Sequence, residues 1–560
     1  MRPMFPAHTV ILLIVVLLAP ATAIAQRARP APLAPADIDA IVQLVKLEDT
    51  RSFDEAILTR LLNAAHPEVR RRAIVTVGRI ADPRGRALLA GLHGETSAEL
   101  LATVAFATGQ LKDPDAIAWL SDLLSNAKTP PAAAFEAARA LGKIRAPEDA
   151  AAQARAALAK YLSAAPATSA SAPVVGEALL AIGRFPPGPD IAPIVRWTAS
   201  PNVEVRWRAA WALFRPRDPA AVQPLLRLTE DKSPEVRFWA VRGLSPAAVD
   251  AAKLDRAVAS ARLRTAVKDP DRRVRTEALR ALGGYDDDES FAMVLAALES
   301  SDTWLSVSAA EAMGRFTSRK DVVVPKLTAA VAPGKPIALR ITALTPLAAL
   351  APDATKEAAT ALAEDSSTVA RGTATQVLAR LAGPRPPQTG ANAPRPPRTP
   401  PAPREDDEYR AIVERSIVPD YNGAPKPRVM LETPRGAIEI EVNAGDAPLG
   451  ADYLRRVIES GEIVGTEFGR VVPNFVAQQR PIRDSGTLRD EVNRHGLLRG
   501  TLSWASAGLD TGRPGYTLGN TPQPHNEGDF TALGRVVRGM EVVDRLELGD
   551  KITGARFVTR

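Results

Sequence analysis

Between residues 35 and 382 the sequence repeats itself. A repeat at fixed period constrains a fold more tightly than any single motif, because each unit must bury itself against the next. His66-Pro67-Glu68-Val69-Arg70 returns as Asn202-Val203-Glu204-Val205-Arg206, as Ser233-Pro234-Glu235-Val236-Arg237 and as Asp271-Arg272-Arg273-Val274-Arg275. Each is followed by an alanine-rich run, and several such runs close on glycine: Gly78, Gly109, Gly142, Gly183, Gly243, Gly283 and Gly314. Gly78 to Gly109, Arg206 to Arg237 and Gly283 to Gly314 are each 31 residues apart, whereas Gly142 to Gly183 is longer and implies an inserted loop. Such a unit holds two helices of about three turns each with two connecting turns. Proline at a helix start forfeits no hydrogen bond, and the closing glycines are expected to take the left-handed conformation that ends a helix. Apolar residues fall at helical spacing, as in Ala278, Leu279, Ala281 and Leu282, so one face packs inward.

This register resembles the short HEAT-type repeats. The resemblance implies an all-α solenoid whose long face binds a protein partner that the sequence does not identify. A globular alanine-rich bundle would not generate a recurring 31-residue register. The Val-Arg arginines are expected to lay their stems along the seam between repeats, with their heads on a neighbouring carboxylate or helix end. Asp286-Asp287-Asp288-Glu289 lacks the glycine and ligand spacing of a calcium loop and reads as a solvated turn.

The remaining composition fits a multidomain chain, since 560 residues exceed one core. Hydrophobic residues make up 46% and aromatic ones only 5%, which suits an array packed with small aliphatic side chains. The net charge of +7, from 71 basic and 64 acidic residues, is spread along the repeats rather than gathered on one face, so no nucleic-acid role is expected. The absence of cysteine excludes disulfides, thiolate nucleophiles, cysteine zinc sites and lipid attachment through cysteine. The five histidines show no metal-ligand spacing, and neither a phosphate-binding glycine loop nor a Gly-x-Ser-x-Gly elbow occurs. No metal and no cofactor is expected.

Residues 1–25 read as a signal peptide: Arg2, an apolar run over 10–19, and Ala23-Ile24-Ala25 before Gln26. An uncleaved anchor fits less well, because residues 10–25 are short for a span of about 20 residues and Pro20 interrupts them. The expectation is an exported bacterial protein, periplasmic or secreted, without a stable membrane span after cleavage. Residues 383–405 are rich in Pro-Pro and Arg-Pro steps that cannot form helix, so they are expected to form a semi-rigid extended tether rather than a ligand for a proline-binding module. Residues 406–423 give a short amphipathic helix and lead-in. From 424 to 560 the period changes: 429–433 and the alternating 437–442 are strand-like, joined by Pro434-Arg435-Gly436, and 447–460 reads as a helix.

Within this last unit the run Phe468-Gly469-Arg470-Val471-Val472-Pro473-Asn474-Phe475-Val476-Ala477-Gln478 stands out, preceded by Thr433-Pro434-Arg435-Gly436-Ala437-Ile438. It is followed in order by Arg489-Asp490-Glu491, Arg499-Gly500-Thr501-Leu502-Ser503-Trp504-Ala505, Gly508-Leu509-Asp510-Thr511, Pro522-Gln523-Pro524-His525 and Leu533-Gly534-Arg535-Val536-Val537-Arg538-Gly539-Met540-Glu541. Together these blocks resemble the cyclophilins. The resemblance implies an eight-stranded antiparallel β-barrel with two helices and cis/trans isomerisation of X–Pro bonds in proline-containing polypeptides. It implies Arg470 as the catalytic residue and Phe475 and Val476 as apolar positions receiving the proline ring. It also implies Gln478 as a hydrogen-bonding partner of substrate and arginine, and Ala505, Ser506 and Ala507 as the segment pairing with the peptide backbone. An X–Pro bond turns slowly because amide resonance must be broken. An arginine reaching the proline nitrogen lone pair, freed as the bond twists, stabilises the twisted state selectively and needs no nucleophile or metal.

Departures from the family pattern cluster around the pocket. Gly469 stands for a histidine, Gln479-Arg480 for Gly-Gly, Gly515 for a rim glutamine, Thr517 for a wall phenylalanine and Asn526 for a leucine, while Phe530 takes a position often held by histidine or tyrosine. The expected function is therefore an exported prolyl isomerase, weakened at the pocket wall, on a HEAT-type protein-binding scaffold. The alternative is a non-catalytic scaffold whose cyclophilin-like domain binds proline-containing segments.

Overall fold

Helix starts in the N-terminal part follow the capping residues. Pro67, Pro131 and Pro234 open helices. The side chains of Asp54, Asn202, Asp271 and Asp302 accept first-turn N–H groups, satisfying donors that a helix start leaves free. The computed structural model describes residues 31–383, 404–482, 487–506 and 508–558. The signal-peptide region, nearly all of the proline-rich segment and Ala507 lie outside the described residues. Helices run from Pro35–Thr50 to Thr368–Leu381. The second helices of the repeats, among them Pro67–Ile80, Ala98–Leu111, Pro131–Leu141, Ala172–Ile182 and Val203–Phe214, pack side by side in one row. No helix among the described residues is long and apolar enough to cross a membrane.

The Val-Arg arginines behave as expected. Arg206 pairs with Asp231 at 2.8 Å and donates to Ser200 O at 2.9 Å. Arg237 repeats the arrangement one unit on, with Asp269 at 2.6 Å and Asp231 O at 2.8 Å. The acidic run also serves a turn: Asp287 caps Asp288–Leu298, and Asp286 binds Arg319.

The repeat glycines do something other than end helices. None of the seven has a positive φ; left-handed closure falls instead on Arg51, Ala81 and Lys112. A Cβ on Gly78, Gly109, Gly142 or Gly283 would lie within 3.0 Å of the Cα of Ala107, Ala140, Ala181 or Ala312, each in the following repeat. Glycine is required for close approach between successive helices. Gly142→Ala is expected to destabilise the array by about 1–3 kcal/mol through overpacking. Gly372→Ala, in open space within Thr368–Leu381, should be neutral or stabilising by up to about 1 kcal/mol. Denaturant midpoints of the two variants check the contrast.

The C-terminal part forms a curled antiparallel sheet of β1 (Arg428–Thr433), β2 (Gly436–Val442), β3 (Phe468–Val472), β4 (Val476–Gln479), β5 (Thr501–Ala505), β6 (Arg513–Gly519), β7 (Gly534–Arg538) and β8 (Gly554–Phe557). The strand order is β3-β4-β6-β5-β7-β2-β1-β8. The two edges meet through a bridge between Glu467 and Lys551 and through Phe468 N–H donating to Asp550 O at 2.8 Å. Helix Pro448–Glu459 packs on the sheet, and Met540–Val543 adds a short second one. Ile438, Ile440, Phe468, Leu502, Trp504 and Leu533 form a core of their own. The lead-in helix Asp406–Ile412 joins a different core: its Tyr409 and Ile412 are buried with Ile41, Leu44 and Ile74 of the first repeats.

The C-terminal domain is not a free body on a tether. Side chains from successive repeats donate to its main-chain carbonyls: Arg72 to Gly445 O at 3.0 Å, Arg79 to Asp446 O at 2.6 Å, Arg139 to Arg494 O at 3.0 Å, Arg184 to Pro524 O at 3.0 Å and Arg272 to Asp544 O at 2.9 Å. The row of second helices thus engages the chain's own C-terminal domain.

Candidate active site

The tight β3–β4 connection places the central residues. β3 pairs with β4 antiparallel, with Arg470 opposite Gln478 and Val472 opposite Val476, so both side chains of the first pair leave the same face of the sheet. Pro473-Asn474-Phe475 makes the turn, with Asn474 at φ 60°. Arg470 Nη1 donates to Gln478 Oε1 at 3.3 Å, and its guanidinium carbon lies 5.3 Å from the centre of the Phe475 ring. Among the described residues no carboxylate pairs with Arg470. Partial burial alone pushes its pKa below the usual arginine value, which leaves it a cation. The His525 ring stacks with that of Phe475, their centres 6.1 Å apart. Burial, with Arg215, Arg242 and Arg184 nearby, holds that imidazole down at about 4.

Arg470, Gln478 and Phe475 line one open groove of about 1070 Å³. Arg470, Phe475, Val476, Gln478, Ala505, Ser506 and Phe530 all border it. Ala507 is outside the described residues. Leu497, Gln523 and Arg513 also border the groove and had not been singled out. Gln523 sits in a matched block, but its role shows only in space: its amide nitrogen donates to Phe475 O at 3.1 Å and its oxygen accepts from Asn526 at 2.9 Å.

The departures acquire structural partners. A Cβ on Gly469 would lie 2.4 Å from Cγ of Arg480, and Arg480 crosses that space to pair with Glu467 at 2.7 Å. Arg480 therefore occupies the space that a side chain at position 469 would need. Gly515 is buried, and a Cβ there would meet Gln479 O at 2.9 Å, so a larger side chain would force that backbone to move. Thr517 lines the groove with its hydroxyl 2.8 Å from that of Ser503. Thr517 and Asn526 make the wall more polar, yet both have partners, so the desolvation penalty of an unpaired polar group is avoided.

The pattern of the C-terminal part matches the family model described as cyclophilin type peptidyl-prolyl cis-trans isomerase over residues 428–559, and the HEAT-repeat model matches segments between 54 and 334. A peptidyl-prolyl cis-trans isomerase of Synechococcus elongatus is 32% identical over 140 residues, covering 24% of this chain and 97% of that protein. Peptidyl-prolyl cis-trans isomerase B of Bacillus subtilis is 32% identical over 127 residues, covering 21% and 89%. A crystal structure of a Cryptosporidium parvum cyclophilin aligns at 17% identity and a TM-score of 0.23, covering 24% of this chain and 99% of that one.

Proposed function

The chain belongs to the cyclophilin-type peptidyl-prolyl cis-trans isomerase family through its C-terminal domain, and from that premise we propose that Arg470 stabilises the twisted X–Pro bond of proline-containing polypeptides. The observation that carries this reading is a cation with no ion pair among the described residues, set beside an aromatic ring at the mouth of a peptide-sized groove. Phe475, Val476 and Phe530 offer apolar surface to the proline ring. Gln478 orients the guanidinium through the 3.3 Å hydrogen bond and shares the substrate backbone. Ala505 and Ser506, at the end of β5, offer main chain to the extended peptide, and Ala507 continues that segment. As resonance is lost, the proline nitrogen gains a lone pair that Arg470 meets with a hydrogen bond absent in the planar ground state.

The HEAT repeats supply a scaffold. The signal-like sequence of residues 1–25 supports export to the periplasm or medium, where the substrates would be exported or unfolded chains.

The test is an exchange-NMR assay of the full chain on an X–Pro peptide from pH 8 to pH 5, with His525→Gln alongside. Acceleration over background is expected, and the two pH profiles should have the same shape. His525 is already neutral in the folded protein down to about 4, whereas an ordinary imidazole titrates near 6.5. The sign for stability is the depressed-pKa case: the neutral histidine's contribution is present above about 6.5 and is lost as pH falls through 4. A folded wild-type chain without acceleration would leave the non-catalytic proline-binding reading, which the polar Thr517–Asn526 wall favours.

A further inference from the structure

The turn that carries Phe475 is held by the helical array as well as by its own domain. We propose that Glu277, on the array helix Arg272–Leu282, is a positioning residue for prolyl isomerisation, acting through Asn474. Asn474 is 3% exposed and occupies φ 60°, a backbone state that residues with a Cβ adopt at a cost. Its amide nitrogen donates to Glu277 Oε1 at 2.8 Å and to Arg273 O at 2.9 Å, both in that one array helix. One turn further along, Arg280 donates to Pro473 O at 3.3 Å.

Glu277 is itself built into place. Burial acts to raise its carboxyl, but Arg242, Arg280 and the Asn474 amide outweigh it and hold the group below the usual carboxylate range. A fixed carboxylate therefore grips a left-handed residue whose chain neighbour is the aromatic ring under Arg470. Array side chains hold two other loops bordering the groove. Arg51 binds Asp510 through both carboxylate oxygens, at 2.7 and 2.8 Å, and Arg184 holds Pro524 O beside Gln523. Groove residues come from loops on different strands, and their separation is set by what grips those loops. Displacements of about 1 Å in a reacting constellation can cost orders of magnitude in rate. Among the described residues none that lines the groove belongs to the array, so the array leaves peptide access open while it fixes the geometry.

This inference rests on the isomerase reading. The experiment measures kcat and KM separately on full-length wild type, Glu277→Ala, Glu277→Gln and Asn474→Gly. Glu277→Ala is expected to lower kcat about tenfold with KM little changed. Glu277→Gln, whose amide oxygen still accepts from Asn474, should retain most of kcat. Asn474→Gly should reproduce the loss, because glycine takes φ 60° without strain and the variant removes only the gripping amide. It also keeps the test sharp if Glu277→Ala fails to fold. Wild-type kcat in both Glu277→Ala and Asn474→Gly overturns the positioning role while leaving the isomerase reading intact. Equal losses in Glu277→Ala and Glu277→Gln overturn it as well, since a bond to Asn474 would then not be what matters. A folded wild type without activity overturns both readings together.

Discussion

Arg470→Ala should lower kcat/KM for X–Pro isomerisation about 100-fold, a loss of about 2.7 kcal/mol of transition-state stabilisation. The guanidinium is the groove's charged donor facing the Phe475 ring, and the proposed bond to the proline nitrogen exists only once the amide has twisted. Its removal therefore falls on kcat, while peptide affinity, supplied by Phe475, Val476 and the β5 main chain, changes little. The fold should survive, because among the described residues Arg470 is held only by one 3.3 Å hydrogen bond and one ring contact. Arg470→Lys should recover only part of the loss: a lysine supplies charge without the planar fork that reaches Gln478 and substrate together. Exchange NMR on a saturating peptide separates the two parameters. A decrease of less than about threefold in Arg470→Ala would remove the guanidinium from the mechanism, since one catalytic donor typically contributes 10²–10³.

The β3–β4 hairpin was legible because everything it needs is local. Arg470, Phe475, Val476 and Gln478 lie within nine consecutive residues, and a two-strand pairing brings the first and last together. The array was legible for a similar reason: a 31-residue register survives in one dimension. What stayed hidden needed the third dimension. The repeat glycines looked like helix ends because chain termination and close helix approach select the same residue; the absence of positive φ and the 2.8–3.0 Å Cβ–Cα distances separate the two causes. Gly469 and Gln479-Arg480 read as two separate losses from the family pattern. Gly469 lies in β3 and Arg480 just beyond the end of β4, where its side chain occupies the space a side chain at 469 would need.

The docking of the C-terminal domain was the largest feature beyond reach. Seam arginines such as Arg206 and docking arginines such as Arg79 are alike in one dimension, and both sit in second helices of the repeats. They differ in the helix face they leave, and charge patterning betrays little of the contact, because many of the acceptors are main-chain carbonyls that every residue carries. The proline-rich segment pointed the other way, toward a domain held at a distance. The buried arginines show the opposite: the array and the isomerase domain bury charge against each other.

That buried charge predicts the second large effect. Arg139→Ala should destabilise the junction between array and C-terminal domain by about 3–5 kcal/mol, the usual result of leaving buried ionic partners uncompensated. Arg139 is 4% exposed and lies between Glu136 and Glu177, each 2% exposed, with Glu177 Oε1 at 3.1 Å. Its Nη1 also donates to Arg494 O across the interface at 3.0 Å. Truncation strands the Glu177 carboxylate and that carbonyl together, whereas Glu136 keeps Arg494 Nε at 3.0 Å. The loss should therefore be reversible by a second change. Arg139→Met combined with Glu177→Met removes both charges, fills comparable volume and should restore much of the stability, because an ion pair taken from water contributes little beyond its apolar replacement. A chain with two cores need not unfold in one step, so the readout is native-state hydrogen exchange in residues 176–183 and 493–497. Opening free energies there should fall together in Arg139→Ala and recover together in the double variant. Protection unchanged within about 1 kcal/mol in the single variant would mean that Arg139 is solvated in solution and that the junction does not depend on it.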